Sequence, residues 1–370
     1  MKVLVTGADG FVAKNLIVRL GELESFNVVK FSRQTAEDDL PALVADIDAV
    51  VHLAGVNRPP SPDEFAAGNT GLTEKLCKAL IDCGRKVPVI FSSSTQAAFD
   101  NPYGKSKREA ENALRQYAAK IGAPVYIYRL PNVFGKWCKP NYNSAVATFC
   151  HNIAHGLPIK INDETVSLSL VYVDDLVDEF IRVLREKPSV GVEEFYAVPV
   201  EYKATVGELA RQIESFRDSR SSLITERVGS GLTRALYSTY VSYLEPQAFS
   251  YVLTRHGDSR GVFVEMLKTR DSGQFSYFTA HPGITRGGHY HHSKTEKFLV
   301  IKGKARFGFR HILTDETYEL CTSGEQPQVV ETVPGWTHDI TNVGEDEMLV
   351  MLWANEIFDR DRPDTIACKV

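Results

Sequence analysis

The stretch "HYHHSKTEKFLVIKG", residues 289–303, places His289, His291, His292 and Glu296 within eight positions. Imidazoles and a carboxylate are a donor set of borderline softness, suited to Zn2+ or to Mn, Fe or Ni. Histidines two apart on an extended chain point to one face, and a glutamate beyond a hairpin can return to that same face. Downstream, "VPGWTHDITN" offers His338 as a fourth ligand. His292 breaks the alternation and is expected to face away, toward substrate or solvent. A different chemistry is written nearer the amino terminus. "YGKSK" sets Tyr103 and Lys107 one helical turn apart, where an ammonium can lower the phenol pKa so that it passes a proton to a carbonyl oxygen as hydride arrives. The preceding "FSSS" supplies a hydroxyl donor for that carbonyl, Ser94, with Ser93 the alternative. A second pair at the same spacing, Tyr290 and Lys294, falls inside the histidine cluster and is read as accidental, because a chain with 15 tyrosines produces such spacings by chance.

Two element textures must position these groups. Up to about residue 245, β-branched runs ("KVLVTG", "VVKFSR", "AVVHLAG", "VPVIFSSS", "PVYIYRLP") alternate with helical patterns such as "FVAKNLIVRLGEL" and "SKREAENALRQYAAKIG". That alternation predicts an α/β, Rossmann-like, doubly wound parallel sheet over residues 1–245. From residue 246 to 370 short strand-like runs ("VFVEML", "QFSYFTA", "EKFLVIKG", "KARFGFRH", "QVVETV", "EMLVMLWA") follow one another without a helix, which predicts an all-β barrel or jelly roll. Residues 230–251 read as the connection, aromatic enough to be packed against something. In "VTGADGFVAKNL", Gly7, Gly10, Phe11 and Ala13 lie between the first strand and the first helix, the place where backbone N–H groups meet a pyrophosphate. Ala54, closing "AVVHLAG", and Lys107 are further expected cofactor contacts. Where an NAD enzyme offers an acid after the second strand, this chain has Ser32 and Arg33. A guanidinium there suits the 2′-phosphate of NADPH, the alternative being a solvated loop charge.

Composition narrows the classes. With 370 residues the prior is two domains, and 43% hydrophobic with 24% charged residues is ordinary for a globular protein. A net charge of -5 without a basic stripe gives no reason to expect nucleic acid. No leader and no apolar run of spanning length is visible, so no membrane partner and a cytoplasmic location are expected. Six cysteines without CxxC spacing are expected to be reduced and mostly buried.

The motifs "TGADGFVA", "VVHLAG", "FSSS", "YGKSK", "RLPNVFG" and "YVDDLV" resemble the extended short-chain dehydrogenase/reductases that act on nucleotide sugars. In that family, residues matching Asn132 and those after Gly135 lie near the nucleotide sugar, which implies "GKWCKPNYNS" as a substrate loop with Lys136 and Asn141; the alternative is a surface loop with a buried Trp137. The spacing of His289, His291, Glu296 and His338 resembles the two metal motifs of the cupins, and "HGDSRGVFVEML" (256–267) resembles the start of the sugar-nucleotide epimerase cupins. End to end the chain is similar to the bifunctional capsular polysaccharide and O-antigen enzymes of the CapF type, with "LAGVNRP", "DNPYG", "FGKWCKPNYNS" and "LYSTYVSYL" among the shared segments. The resemblance implies a UDP-linked 4-keto-6-deoxy amino sugar, UDP-2-acetamido-2,6-dideoxy-β-L-arabino-hex-4-ulose, inverted at C3 by a zinc cupin and reduced at C4 in the front domain, in a homodimer. Two other readings compete: a 4-ketosugar reductase with a non-catalytic, dimerising cupin, and a non-enzymatic sensor. For the C3 base, His292, Lys302, Tyr290 and Asp339 stay open, with His291 a base only if it is no ligand.

Overall fold

The structure, a computed structural model, describes the chain except residues 60, 62, 187–194, 255, 259–260, 264–265, 270–272 and 357–360. Two compact units result: Met1–Ser144 with Leu168–Ala204, and Ala145–Ser167 with Thr205–Val370.

In the first unit the five apolar runs are all strands: β1 (Lys2–Thr6), β2 (Asn27–Phe31), β3 (Ala49–His52), β4 (Val89–Ser94) and β5 (Val125–Leu130). They form one parallel sheet in the order β2-β1-β3-β4-β5. Leu4, Val50, Val89 and Phe91 are buried in one core with Leu76 and Leu80 of α2 (Leu72–Cys83) and Leu114 and Tyr117 of α3 (Pro102–Ile121). The alternate residues Val3, Val5, Val51 and Ile90 are buried too, as both faces of such a sheet require. Helices α1 (Phe11–Gly21) and α5 (Val173–Glu186) pack together. The order reverses between β1 and β3, and the crevice beyond their carboxyl ends is where such sheets bind ligands. Helix α3 starts four residues before the helical run read from the sequence: Asn101 accepts the Gly104 N–H at 2.8 Å as N-cap, and Pro102 fills the first turn. A further sheet joins β6 (Asn132–Phe134), β7 (Ser167–Tyr172) and β8 (Tyr202–Thr205).

The second unit carries two five-stranded antiparallel sheets, the jelly-roll arrangement expected after residue 245. One runs β9 (Ser250–Val252), β15 (Gln328–Glu331), β12 (Glu296–Lys302), β17 (Met348–Ala354), β10 (Gln274–Ala280). The other runs β14 (Thr317–Ser323), β13 (Lys304–His311), β16 (Trp336–Asn342), β11 (Thr285–Tyr290), β18 (Ile366–Ala367). Three helices, α4 (Ala145–Ala154), α6 (Val206–Ser222) and α7 (Gly231–Val241), pack on one another in this unit. A buried charge cluster explains why α6 and α7 group with the strands. Glu331 of β15 bonds Lys297 of β12, accepts from Arg220 of α6 at 2.8 Å and from Tyr237 of α7 at 3.2 Å. The stretch read as a connection from residue 230 therefore contains helix α7, with Leu236, Tyr237, Thr239 and Tyr240 buried. A cut at 245/246 marks the change of sequence texture, whereas packing groups residues 205–245 with the strands of the second unit. The segment "HGDSRGVFVEML" lies in part outside the described residues, Arg260 and Glu265 among them. All six cysteines are free, but only Cys77 and Cys150 are buried, which corrects the expectation that most are.

Candidate functional site

The first site grows from the β1 turn. Gly7 has φ +66, and a Cβ there would stand 2.7 Å from the Ala54 Cα, so only glycine lets the two strand ends close up at the switch point. Gly10 is the N-cap of α1, which has no side-chain cap and no acid in its first turn. Its leading N–H groups are therefore left for an anion, and the residues fit a dinucleotide pyrophosphate. Phe31 is the register partner of Thr6, and Ser32 and Arg33 follow it in a tight turn whose Arg33 side chain is exposed at the strand end. Behind the crevice His52 is buried between Thr6 (2.7 Å) and Thr73 (2.9 Å), and burial pushes its pKa down to about 3.

A cleft of ≈ 880 Å³ opens there, lined among others by Gly10, Phe11, Ser94, Tyr103, Lys107 and Asn132. Strand alternation separates the serines. Ser93 is buried and donates to Glu111, which also takes two bonds from Arg129. Ser94 hydrogen-bonds Tyr103. Both hydroxyls left open by the sequence belong to residues lining the cleft, and Ser94 is the one that hydrogen-bonds the phenol. The Tyr–Lys pair is arranged differently from the expectation. The Lys107 ammonium donates to the Ser92 carbonyl at 2.7 Å and lies 4.6 Å over the Phe91 ring. Burial drives Lys107 down to about 8, and burial also raises Tyr103, the Ser94 bond opposing it. Tyr103 is thus held protonated, which is the form a proton donor needs. Asn69, unremarked in the sequence, braces this wall: it accepts the Val56 N–H at 2.8 Å and donates to Ser106 at 2.9 Å, from a π-helical turn over Ala66–Gly71. Only its place in a π-bulge, a feature sequence does not reveal, marks it.

The presumed substrate loop divides. Asn132 is exposed in the cleft, and Trp137, half-buried, also lines it. Lys136 is 1% exposed, its ammonium pairs with Asp174 at 2.6 Å and its carbonyl accepts from Asn15. It anchors the loop from behind. Asn141, exposed at φ 53, is a turn residue outside the cleft lining.

The second site brings His289, His291, Glu296 and His338 together, their ligand atoms within 4.8 Å of one another. Glu296 does not return to the histidines' own face by a hairpin: it opens β12 in the facing sheet, so the cluster is closed across the sandwich. His289 of β11 and His338 of β16 are register partners. A bulge between Gly287 and His289 turns the strand, and Gly287, φ +97, passes 2.9 Å from the His338 carbonyl measured from where a Cβ would be. Both ring nitrogens of His338 are buried without a hydrogen bond, Nε2 lying 3.5 Å from Glu296 Oε2. Buried polar atoms left this way ask for a partner, and three imidazoles with a carboxylate fit a divalent cation. Burial pushes His289 down to about 3. Burial works against Glu296, yet the His291 hydrogen bond and the nearby His338 imidazole hold its carboxyl well below the usual range.

Asp364, missed in the sequence, supports this centre. Its backbone carbonyl accepts from His291 Nδ1, and its carboxylate accepts the N–H groups of His292 (2.8 Å), Ser293 (2.7 Å) and Lys294 (2.8 Å). Burial opposes ionisation, but the nearby His292 and His291 and these N–H groups keep the Asp364 carboxyl far below its ordinary value. Helix α7 holds the same loop through Arg234 and Ser238 to Ser293. His292 faces away from the ligands, as expected, but into protein against Tyr290 rather than to solvent. Lys294 reaches Glu296 Oε1 at 2.8 Å. Lys302 is exposed, and Asp339, next to His338, lies 3.6 Å from Arg306.

Residues 3–198 match the NAD dependent epimerase/dehydratase family, and residues 256–366 match the polysaccharide biosynthesis C-terminal domain. A Pseudomonas aeruginosa protein named UDP-2-acetamido-2,6-beta-L-arabino-hexul-4-ose reductase is 61% identical over 100% of this chain and 99% of its own length. The chain belongs to the CapF type of the NAD dependent epimerase/dehydratase family. The solved capsular polysaccharide assembling protein CapF of Staphylococcus aureus is 44% identical, with each chain covered in full and a TM-score of 0.69. Shared fold extends to a UDP-glucuronic acid 4-epimerase from Bacillus cereus, 22% identical over 58% of this chain and 83% of that one at a TM-score of 0.52. No helix among the described residues of this CapF-type chain is long and apolar enough to cross a membrane.

Proposed function

We propose that the chain is a bifunctional nucleotide-sugar enzyme acting on UDP-2-acetamido-2,6-dideoxy-β-L-arabino-hex-4-ulose. The cupin unit inverts C3, and the front unit reduces the C4 ketone to give UDP-2-acetamido-2,6-dideoxy-L-talose, in a cytoplasmic homodimer. What supports the reading above all is a Ser94–Tyr103–Lys107 cleft in a chain 61% identical end to end to a protein named as a 4-ulose reductase. The Gly7–Gly10 turn would hold the pyrophosphate of NADPH and Arg33 would favour its 2′-phosphate, and the cofactor would supply the hydride. Ser94 and Tyr103 donate hydrogen bonds to the C4 oxygen, and the Tyr103 proton completes the alcohol. Lys107 keeps a positive charge beneath them below about pH 8.

In the cupin unit the C4 ketone acidifies the C3 hydrogen. His289, His291, Glu296 and His338 would hold a divalent cation, Zn2+ by the resemblance to the cupins, which would supply positive charge against the enolate oxygen. One proton leaves C3 and one returns on the opposite face, so the ketone survives the step. The test is NMR of the 4-keto UDP-sugar in deuterated buffer, first without and then with NADPH. Deuterium at C3 before cofactor, and a C4 alcohol only after it, is the expected result. Reduction without exchange at C3 would leave the cupin as a scaffold.

A further inference from the structure

One phenol in the reductase cleft has no part in the proton transfer above. Tyr142 is half-buried and lines the same cleft as Ser94, Tyr103 and Lys107. Its oxygen accepts the Arg58 N–H at 3.2 Å, tying the segment after β3 to the 136–144 loop. Lys139 lies 5.3 Å from the centre of its ring. The loop that carries it is braced from behind by the buried Lys136–Asp174 ion pair and the Asn15 bond to the Lys136 carbonyl. With Arg58 using one lone pair, the Tyr142 O–H proton has no acceptor among the described residues. The phenol is near enough to Tyr103 to oppose its ionisation.

A carbonyl that takes the Tyr103 proton must lie within hydrogen-bond reach of that hydroxyl. Substituents on the two flanking carbons then lie beside it, where Tyr142 stands. In a 4-keto-6-deoxy sugar those carbons are C3, which bears a hydroxyl, and C5, which bears a methyl group. C5 also carries the ring oxygen, but only C3 offers an exocyclic oxygen, one whose direction changes when C3 is inverted. We propose that Tyr142 is a specificity residue of the reductase cleft, donating its O–H to the C3 hydroxyl oxygen of the bound 4-ketosugar and so selecting one configuration at C3. The proposal rests on the reading that this cleft reduces a C4 ketone. Its consequence is that the uninverted ketone is not drained into an alcohol before C3 has been inverted.

The test measures kcat and KM of the full chain with NADPH on a UDP-linked 4-keto-6-deoxy sugar and on its 3-deoxy analogue, for the wild type and for Tyr142→Phe. The wild type should favour the 3-hydroxy ketone by about tenfold or more in kcat/KM. Tyr142→Phe should lose that preference, chiefly through KM, with the pH profile of kcat unmoved and turnover of the 3-deoxy analogue unchanged. An equal fall on both ketones, or a preserved preference, would overturn the assignment. Calorimetry with UDP alone separates bracing from recognition: unchanged UDP binding in the variant supports the proposal, whereas lost UDP binding makes Tyr142 a loop brace and ends it. If the wild type reduces neither ketone, the reductase reading itself falls, an outcome distinct from a changed ratio.

Discussion

The cleft beside Tyr103 and the histidine–glutamate cluster are built by opposite means. The cleft is made at the ends of parallel strands from backbone N–H groups, a glycine turn and a lysine tuned to about 8, and it stays open to solvent. The cluster is made from side chains on and beside two facing sheets, three of its four residues buried, and its supporting bonds come from Asp364, far along the chain. A site that must admit a long cofactor and pass protons gains from open backbone donors. A site that must fix one cation gains from rigid walls and a shell of charged bonds around the ligands.

Substitutions can break that contrast, beginning with the largest effect. Tyr103→Phe should lower NADPH oxidation by about 10²- to 10⁴-fold while metal content and C3 deuterium exchange persist. Loss of both activities would end the division of labour between the units. His289→Ala should weaken metal affinity by about 10- to 100-fold or more, read by chelator competition, and abolish exchange. It should spare reduction of a ketone already inverted at C3. Asp364→Asn replaces a charged acceptor by a neutral one beneath three N–H groups, and should cost about 1.5–3 kcal/mol in a denaturant titration together with part of the metal affinity. Unchanged metal binding would show that the loop holds its ligands without it.

The smallest effect per step belongs to the cleft-bearing unit. His52 is neutral in the fold, with a pKa of about 3 against 6.5 when unfolded. The unfolded chain therefore binds the extra proton first, so the stability His52 permits is full above pH 6.5 and falls by about 1.4 kcal/mol per pH unit as pH drops toward 3. His52→Gln should flatten that slope in denaturant midpoints measured across this window. An unaltered slope would place the acid sensitivity elsewhere.

Much of this architecture is legible before folding. The five strands of the parallel sheet and helices α1 and α3 follow from β-branched runs and helical periodicity, because these signals are local. In the second unit, runs such as "KARFGFRH" and "QFSYFTA" coincide with strands to the residue. Strands β11, β14 and β16 carry weaker apolar patterns, and two of them hold ligands. Helix α7 hid as an aromatic linker because its partners, Glu331 and Ser293, lie far along the chain.

The sequence by itself determined which residues could do chemistry: a glycine turn before a helix, a tyrosine one turn from a lysine, and three histidines with a glutamate at strand spacing. Tertiary structure alone decided how they are used. It gave Ser94 to the Tyr103 phenol and Ser93 to Glu111, since strand alternation sends neighbours to opposite faces. It withdrew Lys136 into a buried pair with Asp174 and brought Glu296 to the histidines from the opposite sheet. Nearness across a fold is set by packing of distant segments, and spacing along a chain carries no record of it.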